Sequence, residues 1–181
     1  MNLQQILKPG DVLAVRGGGL AGDLIRLGQA LAGKPNVSGH VAVMHHWDGD
    51  VPWGLEGRPA GVGWVDLRAY AADRWTLNNC AQPGRTGGQR AGVAKAAEAM
   101  IGTAYDWQAI ADDTLRAFRM PDLFGKTING TVPGQVVCSS YAAFLYERAG
   151  WACPQVPDRD CEPGDWDTFI ITNGWNVSLK G

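Results

Sequence analysis

No run of about 18 consecutive apolar residues occurs in the 181-residue chain, which leaves no candidate for a membrane-spanning helix. Basic residues are not in excess. Lys and Arg number 16 against 18 Asp and Glu, a net charge of −2, so there is no cationic footprint for nucleic acid or for an anionic lipid surface. The four cysteines, Cys80, Cys138, Cys153 and Cys161, form no C-x-x-C pair and no Cys/His ligand cluster, which argues against a structural zinc site and gives no reason to expect a metal. In a reducing compartment four thiols stay free by default, although the proline-containing loop between Cys153 and Cys161 leaves a pairing of those two open. Residues 1–8 lack the charged and apolar regions of a signal peptide, so the expected location is cytoplasmic, with release by lysis or packaging in a virion as routes out. Internal repeats and low-complexity tracts are missing as well.

What is present suits one folded domain over residues 1–181. Apolar residues make up 45% and charged residues 19%, enough to bury a core at this length. Asp11 to Arg16 reads as a first strand, opened by Pro9-Gly10 and closed by Gly17-Gly18-Gly19. Leu20, Leu24, Leu27 and Leu31 recur with the period of an amphipathic helix. His40 to Trp47 is the next strand, with His40, Ala42, Met44 and His46 on one face. Asp48-Gly49-Asp50 turns it into Trp53 to Glu56, and strands follow at Gly63–Leu67 and Arg74–Asn78. The second half turns helical. Val93, Ala96, Ala97, Met100 and Ile101 mark one helix from about Gln89, and Asp106 is a candidate N-cap for another that runs to about Arg119. A helix from Val137 follows, then a loop from Pro154 to Gly164, and Phe169-Ile170-Ile171 reads as a last strand. Strands first and helices afterwards predict an α+β fold, with helices on one side of an antiparallel sheet.

The helix from Val137 carries the chemistry. Val137, Tyr141, Phe144 and Leu145 give it one apolar face, and Gly150 is a stop. Cys138 therefore sits in the first turn, where unpaired backbone N–H groups and the positive end of the helix dipole favour a thiolate. A thiolate nucleophile needs a base or ion-pair partner, usually histidine. Of the three histidines, His40 stands at the mouth of a strand, whereas His45 and His46 lie near a turn and are expected to be solvated. Glu56, on the strand a hairpin brings beside His40, is the candidate for holding the imidazole in orientation. On these residues alone, a small buried cysteine, an ordinary strand-end histidine and a surface glutamate remain the alternative.

The same residues resemble a family. Gly10-Asp11-Val12-Leu13, Ser38-Gly39-His40-Val41-Ala42-Val43, Leu55-Glu56-Gly57 with Gly61-Val62, Ile101-Gly102-Thr103-Ala104-Tyr105-Asp106-Trp107, Val137-Cys138-Ser139-Ser140 and Glu162-Pro163-Gly164-Asp165-Trp166 occur in an order similar to that of the circularly permuted branch of the NlpC-type, papain-like cysteine peptidases and amidases. His40 precedes Cys138, the permuted order. The resemblance spans roughly residues 10–170. It departs from the family pattern in a longer segment over 108–135, in Gly57 where alanine is common, and in Glu162 where threonine is common.

The resemblance implies a papain-like antiparallel sheet or small barrel. It implies Cys138 as nucleophile, His40 as base, Glu56 as the third polar residue, Tyr105 and Trp107 lining the substrate pocket, and no cofactor. The implied activity is hydrolysis of an amide bond, in a peptidoglycan stem peptide or another peptide or isopeptide, through an acyl-thioester. The alternatives are a lipid acyl hydrolase or acyltransferase on the same fold, with an apolar groove lined by Trp53, Trp64 or Trp107, and a non-catalytic binding or assembly module.

Overall fold

The computed structural model describes residues 3–17, 19–31, 33, 36–71, 78–79, 84–106, 135–155 and 161–175. Six helices and seven strands fall within them. In chain order these are α1 (Leu3–Ile6), β1 (Val12–Val15), α2 (Gly19–Leu31), β2 (His40–Asp48), β3 (Val51–Arg58), β4 (Gly61–Asp66), α3 (Arg68–Ala71), β5 (Asn78–Asn79), α4 (Gly87–Glu98), β6 (Ala104–Tyr105), β7 (Gln135–Val136), α5 (Cys138–Arg148) and α6 (Pro163–Thr172).

The main sheet has the order β4-β3-β2-β1-β5, and its pairs are antiparallel. Strands β4 and β5 stand at its two edges, so among the described residues it is an open sheet and not a closed barrel. Alternation along β1 sends Val12 and Ala14 to one face and Leu13 and Val15 to the other. On the first face Val41, Val43, Leu55 and Val62 meet α4, α5 and α6 through Ala97, Tyr141, Leu145, Trp166 and Ile170, all buried. The opposite face is not bare. Leu7, which follows α1, and Leu67 and Tyr70 beside α3 close over Leu13, Val15, Ala42, Met44 and Val65. The three longer helices after the sheet thus share one side, as the strand-then-helix order implies, while short elements cover the other.

The Gly10-Asp11 step ties the sheet to the helices. Gly10 has φ 81, a conformation open to glycine, and a side chain there would meet the Arg90 carbonyl at 3.1 Å. Its own carbonyl accepts from the Tyr146 hydroxyl of α5 at 2.7 Å. The fully buried Asp11 pairs with Arg90 of α4 at 2.6 Å and accepts from the Lys8 N–H at 2.9 Å. A buried carboxylate is tolerated because both partners neutralise or hydrogen-bond it.

Several expectations change. Phe169-Ile170-Ile171 is not a strand; it lies in α6. Pro163 occupies the first turn, Glu162 and Asp165 form the N-terminal cap, and Pro163, Trp166, Asp167 and Ile170 recur as one buried face. Among the α2 side chains the structure describes, Gly22 and Gln29 are buried, while Leu27 and Leu31 are exposed. Gln29 donates to the Ser38 carbonyl at 3.1 Å, and a side chain on Gly39 would come within 2.9 Å of the Gly22 carbonyl. Close backbone packing and a buried amide thus help to set how α2 lies. A bulge between Met44 and His46 breaks the alternation of β2. It turns His45 half inward, 3.4 Å from Glu98, while His46 stays exposed. Cys153 and Cys161 are free thiols. The strand expected over 74–78 is represented by Asn78 of β5, and its other residues lie outside the described residues, as do Cys80, Trp107 and the helix expected beyond Asp106.

Candidate active site

Helix α5 starts at Cys138 for local reasons. Val137 is its N-cap in an extended conformation and has no side-chain oxygen to offer. Ser140, three residues on, accepts from the Val137 N–H at 3.1 Å instead and fixes the first turn. At the other end Gly150 has φ 63, and the Trp151 N–H bonds the Tyr146 carbonyl at 2.8 Å, a Schellman stop as the sequence predicts. Cys138, Ser139, Ser140, Tyr141, Ala142, Ala143, Leu145 and Tyr146 are buried, so the helix is enclosed on more than the expected face, and small side chains make that possible. Phe144 lies at the rim with the Arg148 guanidinium 5.0 Å from its ring centre. Trp166 of α6 donates to the Ser139 carbonyl at 3.1 Å, and Ser139 donates to the Cys161 carbonyl. The Pro-Gly-Asp segment is thus the start of a helix that packs on α5 through Trp166.

The N-terminus of α5 abuts β3. A side chain at Gly57 would come within 3.3 Å of both the N and the Cα of Cys138, and 3.4 Å from the ring of Tyr105. Glycine at this position lets the helix end approach the strand. Tyr105 arrives by a separate route. Gly102 and Thr103 bond to Val62 at the edge of β4, with Gly102 N–H to Val62 carbonyl at 3.0 Å and Val62 N–H to Thr103 carbonyl at 2.9 Å. Strand β6 then pairs in parallel with β7, placing Tyr105 opposite Val136, two residues before Cys138.

The structure brings Cys138, His40, Glu56 and Tyr105 together. Glu56 stands on β3 across from Ala42, on the same face as His40. His40 Nε2 lies 2.8 Å from a Glu56 oxygen, which leaves Nδ1 for the sulfur. The imidazole and the Cys138 side chain are in hydrogen-bonding and charge contact, and the Val41 N–H also bonds the sulfur. Tyr105 hydrogen-bonds Cys138 from the other side. Cys138 itself is 1% exposed and lies behind the cleft walls.

Two residues escaped the sequence reading. The Tyr70 hydroxyl donates to one Glu56 oxygen and the Arg58 Nε to the other. Glu56, 2% exposed, is consequently not the surface glutamate of the alternative reading but a buried carboxylate with donors on both oxygens. Arg58 was visible in principle, since residues two apart on a strand share a face. Nothing in the spacing announces Tyr70, because its contact depends on how the chain returns after β4.

Electrostatics favour the ion pair. Burial pushes the Cys138 thiol up, but the charge and hydrogen bond of His40 outweigh it and bring its pKa below the ordinary value. Burial alone would lower His40, yet Cys138 and Glu56 together push it up to about 10. Glu56 is held below the usual carboxylate range by His40, Tyr70 and Arg58 against the opposing effect of burial. Burial and the neighbouring anions raise both Tyr70 and Tyr105, so each remains a protonated donor. The consistent state is thiolate, imidazolium and carboxylate in sequence.

A cleft of about 190 Å³ opens beside the pair, lined by Gly17, Gly22, Ile25, Gly39 and Pro59 together with His40, Glu56, Gly57, Arg58, Tyr70 and Tyr105. Neither Trp53 nor Trp64 is among its walls. Among the described residues no group of three or more His, Cys, Asp or Glu side chains gathers to hold a metal ion, and no helix is long and apolar enough to cross a membrane.

The fold and site define an α+β protein with an open antiparallel sheet and a Cys-His-Glu array at a helix N-terminus. No family model matches the chain, and no curated protein matches it either. Among solved structures it is similar to the metalloprotein yiiX from Escherichia coli O157:H7 (DUF1105), with 15% identity and a TM-score of 0.54 over 80% of this chain and 67% of that one. At that identity the likeness speaks for the fold alone.

Proposed function

We propose that the protein is a cysteine-dependent hydrolase of amide bonds, of the permuted NlpC-type, papain-like kind that its sequence resembles. The observation that carries this reading is the buried relay of Cys138, His40 and Glu56, with the thiol lowered and the imidazole raised. A buried core cysteine has no use for a charged partner that is itself fixed by a carboxylate.

In this reading the Cys138 thiolate attacks the substrate carbonyl. The developing oxyanion meets the Cys138 backbone N–H at the start of α5, where the helix dipole is favourable. The His40 imidazolium gives its proton to the leaving amine, and water, activated by the neutral ring, releases the acyl group. Glu56 keeps the ring oriented throughout. No step calls on a cofactor. A peptide substrate is favoured over an acyl lipid by the charged and hydrogen-bonding groups that His40, Glu56, Arg58, Tyr70 and Tyr105 bring to the cleft, beside apolar surface from Ile25, Pro59 and the tyrosine rings.

The test is incubation of wild type and Cys138→Ala with muropeptides, peptide amides and acyl lipids, followed by mass spectrometry. Peptide or muropeptide cleavage by wild type alone is expected. Ester cleavage alone overturns the choice of bond, and equal turnover by Cys138→Ala overturns the mechanism.

A further inference from the structure

Three charged side chains line the cleft, and they differ in what solvent can reach. The Glu56 side chain is 3% exposed, His40 15% and Arg58 45%. The charges of the first two are spent on each other and on Cys138. Arg58 commits only its Nε, which donates to Glu56. A guanidinium has five N–H donors in a planar fork, so the edge formed by its two terminal nitrogens remains. That edge makes no hydrogen bond or ion pair with another described residue. The neighbouring walls, Gly17, Gly57 and Pro59, supply no competing carboxylate.

Resting on the hydrolase reading, we propose that Arg58 is a specificity residue: its outer guanidinium edge binds a carboxylate on a peptide substrate, close to the scissile bond. The placement follows from the strand. Arg58 is two residues beyond Glu56 on one face of β3, a separation of roughly 7 Å along the chain. That is about the span of one or two residues of a bound peptide. A planar carboxylate matches the fork with two parallel hydrogen bonds, which a neutral amide at the same point does not. Glu56 remains bound to Arg58 through Nε, so binding the carboxylate does not cost the site its imidazole orienter.

The test needs no knowledge of the natural substrate. N-iodoacetyl-glycine and N-iodoacetyl-β-alanine carry a free carboxylate, and their carboxamides do not. In each case the thiolate displaces iodide and leaves a thioether. Alkylation of Cys138 is followed by peptide mapping in wild type, Arg58→Gln and Arg58→Lys. The ratio of acid to amide rates is expected to fall about three- to fivefold in Arg58→Gln, in keeping with a half-exposed charge contact. Arg58→Lys should recover part of it. The amide rate alone reports the thiolate, so any disturbance of Glu56 or His40 divides out of the ratio. An unchanged ratio in Arg58→Gln with Cys138 still reactive at pH 6 overturns the carboxylate site and leaves the hydrolase reading standing. An amide rate that is negligible at pH 6 in wild type overturns the hydrolase reading itself.

Discussion

Removing His40 should convert Cys138 from an acidic thiol into an ordinary buried one. In His40→Asn the burial that pushes the thiol up is no longer opposed by an adjacent cation. Opposite charges about 4 Å apart at an effective dielectric near 20 interact by about 4 kcal/mol. That corresponds to roughly three pKa units. Below both pKa values the variant would hold about 1,000-fold less thiolate. Its thiolate would be intrinsically more reactive, by about 15-fold for a Brønsted slope near 0.4. Where the pH lies below both values, the net expectation is alkylation roughly 60-fold slower in the variant. The assay is the iodoacetamide rate from pH 5 to 10, read by peptide mapping so that Cys138 is separated from Cys80, Cys153 and Cys161. Hydrolysis, if measured in place of alkylation, should show a second limb. The imidazolium that protonates the leaving group is present below about 10 and is lost as pH rises through that value. Superimposable alkylation profiles for wild type and His40→Asn, or wild-type reactivity that appears only above about pH 8.5, would refute the ion-pair reasoning.

Tyr70→Phe removes one donor from the buried Glu56 carboxylate and should cost about 1.5 kcal/mol in urea denaturation; an unchanged denaturation midpoint contradicts its placement. Glu56 has a depressed folded-state pKa, so the stability it contributes is present above its unfolded value near 4.5 and is lost as pH falls through the folded value. Glu56→Gln should therefore flatten the acid limb of a stability-pH curve below about pH 4.5, and an identical acid limb counts against the buried relay. Arg90→Met removes the 2.6 Å ion-pair partner of the buried Asp11 and should cost about 3 kcal/mol by denaturation. Because that pair lies at the start of β1 and not beside Cys138, the fraction that stays folded should keep the wild-type alkylation profile.

Much of the site was legible because chemistry and geometry coincide along the chain. A cysteine after a Pro-Gly break and before an amphipathic run marks a helix N-terminus whatever the fold. A histidine and a glutamate on successive strands of a hairpin fall side by side by pairing alone, as Ala42 opposite Glu56 now documents. The short glycine steps were harder to interpret than to notice. Gly57 admits the end of α5, and Gly10 lets α4 and α5 close on β1, roles that need three-dimensional neighbours. The run Phe169-Ile170-Ile171 misled because three apolar residues in a row carry no period. Read together with Pro163 and Trp166, they complete a helical face. In α2 the period of the leucines predicts the helix, but Leu27 and Leu31 are exposed, and Gly22 and Gln29 pack inward, one through the lack of a side chain and the other through a buried amide. Tyr70 adds a contact that spacing could not give, whereas Arg58, two residues beyond Glu56 on β3, was within reach of the strand period.

The most direct test of Cys138 as the nucleophile is to catch the acyl-enzyme. Wild type mixed with a reactive peptide ester, quenched in acid within seconds and analysed by intact mass and peptide mapping, should carry one acyl group on Cys138, and hydroxylamine should remove it. An acyl group on any other residue, or ester turnover that continues undiminished in Cys138→Ala, would contradict the account.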